Sequence, residues 1–259
     1  MPASAHFDTQ LLVGFLLTLT RVGAALILLP MPGFENSNQV ARIALIAGST
    51  LCLVPVWPVV ARFDESLSLP GAVILETTVG LLVGLTTAFL FETFQIGTQI
   101  ISFQTGFGFA TTFDPQSQAD SAIFQLFSKL CTGFLFFALG IHRELIGMLA
   151  RSFTTLSPSL TQGYAARGLS LGLVLHLGTK MFVDGVKLAL PVVVLLFLVD
   201  LSLAALTRLQ TQLQLLSVAF PVKIVLSIIF FGALLMRWSD LFQRFAAETF
   251  NQVFRTLAL

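Results

Sequence analysis

Ser170–Val199 reads SLGLVLHLGTKMFVDGVKLALPVVVLLFLV, an apolar run of 30 positions that carries Lys180, Asp184, Lys187 and Pro191. As a helix it would be about 45 Å long at ~1.5 Å per residue, too long for a straight crossing of a ~30 Å hydrocarbon layer. Pro191 removes one backbone donor inside it, so a kink or a break is expected there. The three charges stand four and three residues apart, which puts them on one helix face. An unpaired lysine at the centre of a bilayer costs from about 3 kcal/mol upward. Two readings follow: an ion or proton pathway, or a triplet that neutralises itself and packs against neighbouring helices. The need for partners favours the second, a structural network.

Five further apolar runs flank this one, at Leu11–Leu29, Ile43–Val60, Gly71–Phe91, Ala122–Ile141 and Leu215–Met236, each near the ~20 residues that cross a bilayer as a helix. Pro221 interrupts the last of them as Pro191 does the fifth, and a helix kink is expected at both. The composition agrees. Of 259 residues, 56% are hydrophobic and 10% charged, against about 25% charged in soluble domains. Mean hydropathy is +0.90. That leaves too little polar side chain to cover a soluble body, and too much apolar material for disorder. The expected fold is all-α, a polytopic membrane protein of about six hydrophobic spans, some of them bent.

Net charge is +1, and no basic run exceeds two residues, so nucleic acid is not an expected partner. MPASAHFDTQ has no positive segment before the first apolar run, so that run is read as a retained span and not as a cleaved signal. Cys52 and Cys131 each sit within apolar sequence and read as small buried hydrophobes. Counting loop cations gives a topology. The first, third and fifth connections hold Arg42 and Arg208, while the second, the fourth and the tail hold Arg62, Arg143, Arg151, Arg167, Arg237, Arg244 and Arg255. The second set, with both termini, is expected in the cytoplasm. Trp57, Tyr164 and Trp238 fall on the same side, as interfacial anchors would.

Catalytic patterns are missing. The sequence contains no GxSxG, HExxH or Walker A loop, and His6, His142 and His176 lie too far apart for a zinc site. No cofactor or metal is expected. Glu76, Glu92, Lys129 and Lys223 invite the same two readings as the fifth-run charges, a pathway or a structural network, with fewer identifiable partners.

Thr93–Phe113 departs from the pattern of the spans, because it carries Gln95, Gln99 and Gln104 with Gly97, Gly106 and Gly108. Such a segment suits a cavity lining or a re-entrant path, where irregular backbone is tolerated. It is predicted as helix to about Gln104 and loop beyond. GFGFATTFDPQSQ at Gly106–Gln118 alternates glycine with Phe107 and Phe109, then presents Phe113 before the turn-forming pair Asp114-Pro115. Large apolar side chains on such a loop can fill a pore and be displaced from it. A Phe-rich connector packed on its own bundle would also fit the spacing.

These segments resemble the FliR family, the R-type subunit of the flagellar export gate. The resemblance rests on TRVGAALILLPMPGF at Thr20–Phe34, on Gly106–Gln118, on GIHRELIGMLARSF at Gly140–Phe153, on KLALP at Lys187–Pro191 and on TQLQLLSVAFPVKI at Thr211–Ile224. They fall in family order. Two departures from the family pattern stand out: Ile141 replaces a glycine before His142, and Thr207 and Thr211 replace an Asn and a Pro around Arg208.

The resemblance implies a non-enzymatic core subunit of a bacterial inner-membrane complex in the flagellar basal body, through which unfolded protein substrates pass. It implies P-type and Q-type partner subunits, FliP and FliQ, together with FlhB-type and FlhA-type export components and membrane lipid. The chain would consist of tilted helical hairpins, P-subunit-like over about residues 1–190 and Q-subunit-like over about 191–259, raised partly out of the bilayer. The buried charges would then face other subunits. The plug of the family corresponds to Gly106, Phe107, Gly108, Phe109, Phe113, Asp114 and Pro115, which turns the reading of that loop toward closure. A virulence-type injectisome gate subunit is the nearest alternative. A small-molecule transporter is a more distant one, motivated by the broken fifth run, although two related halves are not visible. An intramembrane enzyme lacks its residues.

Overall fold

A computed structural model describes residues 9–30, 39–53, 69–106, 123–155, 171–209 and 215–257. Among them every regular element is an α-helix: α1 Thr9–Ile27, α2 Gln39–Cys52, α3 Leu69–Thr105, α4 Ile123–Ala138, α5 Ile141–Thr155, α6 Leu171–Leu209, α7 Leu215–Leu235 and α8 Trp238–Leu257. The all-helical expectation holds, and the apolar helices fit a membrane protein. Hydroxyls inside them turn back on their own backbone. Thr18 donates to the Gly14 carbonyl at 2.8 Å, Thr86 to Leu82 at 2.8 Å and Thr98 to Phe94 at 2.9 Å. A threonine satisfied in this way is tolerated in apolar surroundings without a partner on another helix.

The spans divide differently from the six apolar runs. Among the described residues two helices are long and apolar enough to cross a membrane, α3 and α6, and the count reaches four if each of two bent pairs is one span. The third run continues straight through Thr93–Thr105, so that polar-amide stretch extends α3 and is not a separate re-entrant element. Helix ends at Thr105, as the sequence indicated. The sharp bends, 66° between α4 and α5 and 58° between α7 and α8, fall at Leu139–Gly140 and Met236–Arg237. Gly140 has φ of +74°, a left-handed conformation that favours glycine. Helix α6 runs through Pro191 without interruption and α7 through Pro221, so neither proline produces a break.

Arg143 and Arg151 lie on α5, while Arg237 stands at the bend before α8 and Arg244 and Arg255 lie on α8. The cation count therefore treated helical residues as loops, and the topology drawn from it loses its basis. Trp57 and Tyr164 fall outside the described residues, and Trp238 is buried instead of exposed as an anchor.

The chain divides into two compact units, one of residues 1–89, 140–178 and 247–259, the other of 90–139 and 179–246. In the first, α1 packs on α2 and on the leading half of α3. A Cβ at Gly80 would stand 2.2 Å from the Arg21 carbonyl oxygen, and one at Gly84 2.5 Å from that of Ala25. Gly80-x-x-x-Gly84 thus lets two backbones touch, as small residues do between membrane helices. The second unit has an aromatic core. Phe94 of α3 packs 5.1 Å from Trp238 and 5.3 Å from Phe242, Phe91 lies 5.4 Å from Phe136 of α4, and Phe231 of α7 meets both Phe124 at 5.0 Å and Trp238 at 5.7 Å. Within it α3 and α6 also cross closely, because Gly97 faces the Gly185 carbonyl and Gly185 faces that of Thr93.

Candidate functional site

The fifth-run charges meet as their spacing requires. On α6 Lys180 Nζ lies 3.2 Å from Asp184 Oδ2, and Lys187 Nζ donates to Asp184 Oδ1 at 3.1 Å. The carboxylate is buried, and Lys187 reaches outward with 66% of its side chain exposed. One buried anion therefore ties down two cations from its own helix. Asp184→Asn is expected to lower stability by about 1–2 kcal/mol, below the 3–5 of a fully buried pair, because Lys187 can be solvated once released. Thermal unfolding of the purified chain measures this. Normal stability with a changed pH dependence of activity would instead mark a proton pathway.

A second ionic site lies in the other unit and joins helices distant in sequence. Arg21 of α1 and Glu76 of α3 are 1% and 2% exposed and pair through Nε and Oε2, while Arg21 Nη2 donates to Glu76 Oε1 at 2.8 Å. Arg21 Nη1 donates to Ser152 Oγ of α5 at 3.1 Å, and the Ser152 hydroxyl donates to the Leu149 carbonyl at 2.6 Å. The guanidinium also sits 4.3 Å over the Phe153 ring. The fork of Arg matches a carboxylate in two parallel bonds, so this site fixes α1, α3 and α5 in one arrangement. Sequence reading noted Glu76 without finding its partner. The available signal was two lone opposite charges, each deep in an apolar run.

The third set lies where α3 ends. Asp200 of α6 pairs with Lys223 of α7 at 2.5 Å and accepts a hydrogen bond from Gln104 Nε2 at 3.1 Å. Gln104 is two residues before Gly106, whose φ of +95° turns the chain out of the helix in a conformation that favours glycine. Of the loop residues singled out from sequence, Gly106 alone is described. Phe107, Gly108, Phe109, Phe113, Asp114 and Pro115 lie outside the described residues. The structure does describe the flanks of 107–122. One is pinned by Gln104 on Asp200, and the other begins with Phe124 packed edge-to-face on Phe231. Both belong to the aromatic unit.

Among the described residues no group of three or more His, Cys, Asp or Glu could hold a metal ion. The ionic sites are self-contained, each carboxylate being matched by cations or amides, which suits holding helices together.

Comparison with known proteins gives one consistent result. The family described as bacterial export proteins, family 1, matches residues 12–249. The chain is similar to proteins named flagellar biosynthetic protein FliR. It is 29% identical over 221 residues to that of Pectobacterium carotovorum subsp. carotovorum, which covers 84% of this chain and 80% of the relative. It is 29% identical over 226 residues to that of Bacillus subtilis, covering 85% of each. For Escherichia coli the figures are 28% over 187 residues, 71% of this chain and 67% of the relative.

Proposed function

Because the chain belongs to the bacterial export protein family 1, we propose that it is a subunit of the bacterial flagellar protein export apparatus. Its place is the inner-membrane export gate of the basal body, where it forms part of the channel for unfolded substrates and has no enzymatic role. It works there beside FliP-type and FliQ-type subunits, with FlhB-type and FlhA-type components as neighbours. The P-like part ends near residue 190 and the Q-like part follows, so the join falls inside α6 at Pro191. The observation that carries the reading is the family match over residues 12–249, joined to relatives that are flagellar by name. Those names favour the flagellar branch over the injectisome branch.

Gly106–Phe113, with Asp114-Pro115 after it, is the closure element of this reading. Its support is the anchored pair of flanks: Gly106 releases the chain from α3 just after Gln104 is held, and Phe124 returns it to the aromatic core. Between them Phe107, Phe109 and Phe113 supply apolar bulk, and a hydrophobic constriction can close a pore by dewetting. Each phenylalanine withdrawn from water is worth about 1.5–3 kcal/mol, so losing even one seal contact shifts the balance roughly tenfold toward the open pore. Replacing all three by Ala is expected to raise ion conductance at least about tenfold in cells with an assembled complex, and deleting 107–113 to raise it further. Unchanged tightness in a correctly assembled deletion would place the seal on other subunits.

A further inference from the structure

We propose that a cleft between α6 and the bent α7–α8 pair binds an anionic phospholipid, one acyl chain lying in the cleft and the headgroup phosphate held by Lys187 and Arg237. The cleft encloses about 500 Å³, within the range of ligand pockets. Its walls are apolar: Leu188, Val192 and Leu195 from α6, Phe230 and Leu234 from α7, and Phe245 from α8. Its cationic lining residues are Lys187 and Arg237.

The register of the hairpin decides where those cations stand. Helices α6 and α7 run antiparallel, since Asp200 meets Lys223 while Leu188 and Leu195 share the cleft with Leu234 and Phe230. From Asp200 back to Lys187 is thirteen residues and from Lys223 on to Arg237 is fourteen, in each case about 20 Å of helix. Both cations therefore fall at one end of the cleft. Toward the other end Asp200 and Lys223 neutralise each other, and Arg208 stands beyond them near the end of α6. The result is a slot that is apolar along its length and positive at its mouth.

Charge at the mouth is net positive. Of its two cations Lys187 stands beside Asp184, and no carboxylate among the described residues pairs with Arg237. Asp240, the nearest carboxylate to Arg237 in sequence, does not line the cleft. Met236 beside it is 85% exposed, so the mouth opens among apolar side chains. A small hydrophilic anion would gain nothing from the apolar walls, and a neutral apolar molecule would gain nothing from the cations. Only an amphiphile with one anionic end uses both, and basic pockets between membrane helices take lipid headgroups in this way. This inference stands apart from the reading of 107–122.

The test is native mass spectrometry of the full chain, alone and in its complex with partner subunits, delipidated and titrated with phosphatidylglycerol or phosphatidylcholine of equal acyl chains. The native chain is expected to prefer phosphatidylglycerol by about thirtyfold, each cation near the phosphate contributing roughly fivefold. Lys187→Gln with Arg237→Gln should abolish that preference. Arg237→Gln alone, at an exposed position that leaves the Asp184 triplet intact, should lower it about fivefold, and Arg237→Lys should retain it. Ala233→Phe, which fills the cleft, should remove both lipids. Unchanged helicity and melting temperature identify folded variants. Equal retention of the two lipids by the native chain overturns the proposal. So does an unchanged preference in folded Arg237→Gln, or a lipid-free cleft in the assembled complex, which would make the groove a subunit contact.

Discussion

Glu76→Gln is expected to be among the most damaging single substitutions in this protein, lowering stability by about 3–5 kcal/mol. The guanidinium of Arg21 has both Nε and Nη2 on that carboxylate, and its surroundings are fully buried. An amide of the same shape leaves the cation in place with its counter-charge gone. Arg21→Lys should also destabilise, by about 1–3 kcal/mol, because an ammonium cannot serve Glu76 and Ser152 through a planar fork. Removing both charges together, Arg21→Met with Glu76→Leu, should recover much of the loss, since an apolar pair avoids the cost of burying ions. Yield of folded chain in detergent and its thermal midpoint give the ranking. A stable Glu76→Gln chain that no longer supports export would make the pair part of the working mechanism, not of the frame.

Gly80→Ala and Gly84→Ala are expected to destabilise by about 1–3 kcal/mol each, although alanine is the better helix former by up to ~1 kcal/mol. The added methyl would meet carbonyl oxygen of α1 at 2.2 and 2.5 Å, and backbone atoms can give way only if the helices move apart. The opposed signs make the test clean. Gly48 and Gly232 have no atom within 4 Å of an added Cβ, so alanine there should be neutral or stabilising in the isolated chain. If all four substitutions behaved alike, the close approach of α1 and α3 would not be a source of stability. Crosslinking between cysteines placed on α1 and α3 would show whether the separation changes.

What could be read from the sequence follows from the range over which each cause acts. Helices in apolar surroundings announce themselves locally, so the all-α membrane character was legible, as was the end of α3 between Gln104 and Gly106. The Asp184 triplet was legible for the same reason, its members lying within two turns. Helices α5 and α8 were passed over as connection and tail because they are charged, yet their core stripes were available. Ile141, Leu145, Met148, Leu149 and Phe153 recur at helical spacing, as do Trp238, Phe242, Ala246, Phe250 and Val253, and all are buried. The Gly80-x-x-x-Gly84 spacing was likewise present and unread. Arg21 with Glu76, and Asp200 with Lys223 and Gln104, could not be paired by any local rule. Their partners are 55, 23 and 96 residues apart, and only packing brings them together. At Pro191, where a kink or a break is expected, the helix continues, because the proline ring removes one bond from a ladder of 39 residues whose neighbouring turns remain intact.

The length of α3 sets a limit on how much of it lipid can surround. Its 37 residues make a rod of about 55 Å, against a hydrocarbon layer of about 30 Å. Membrane helices seldom lean by more than about 40° from the bilayer normal, and at that inclination the rod would still project about 42 Å along it. Tilt therefore cannot absorb the mismatch, and two turns or more of α3 must stand beyond the acyl chains. Because α3 has no break in its helix, the excess cannot be folded back along the surface. In a bilayer a helix of this length would carry a load on its outer stretch along one unbroken axis into the part that lipid would surround.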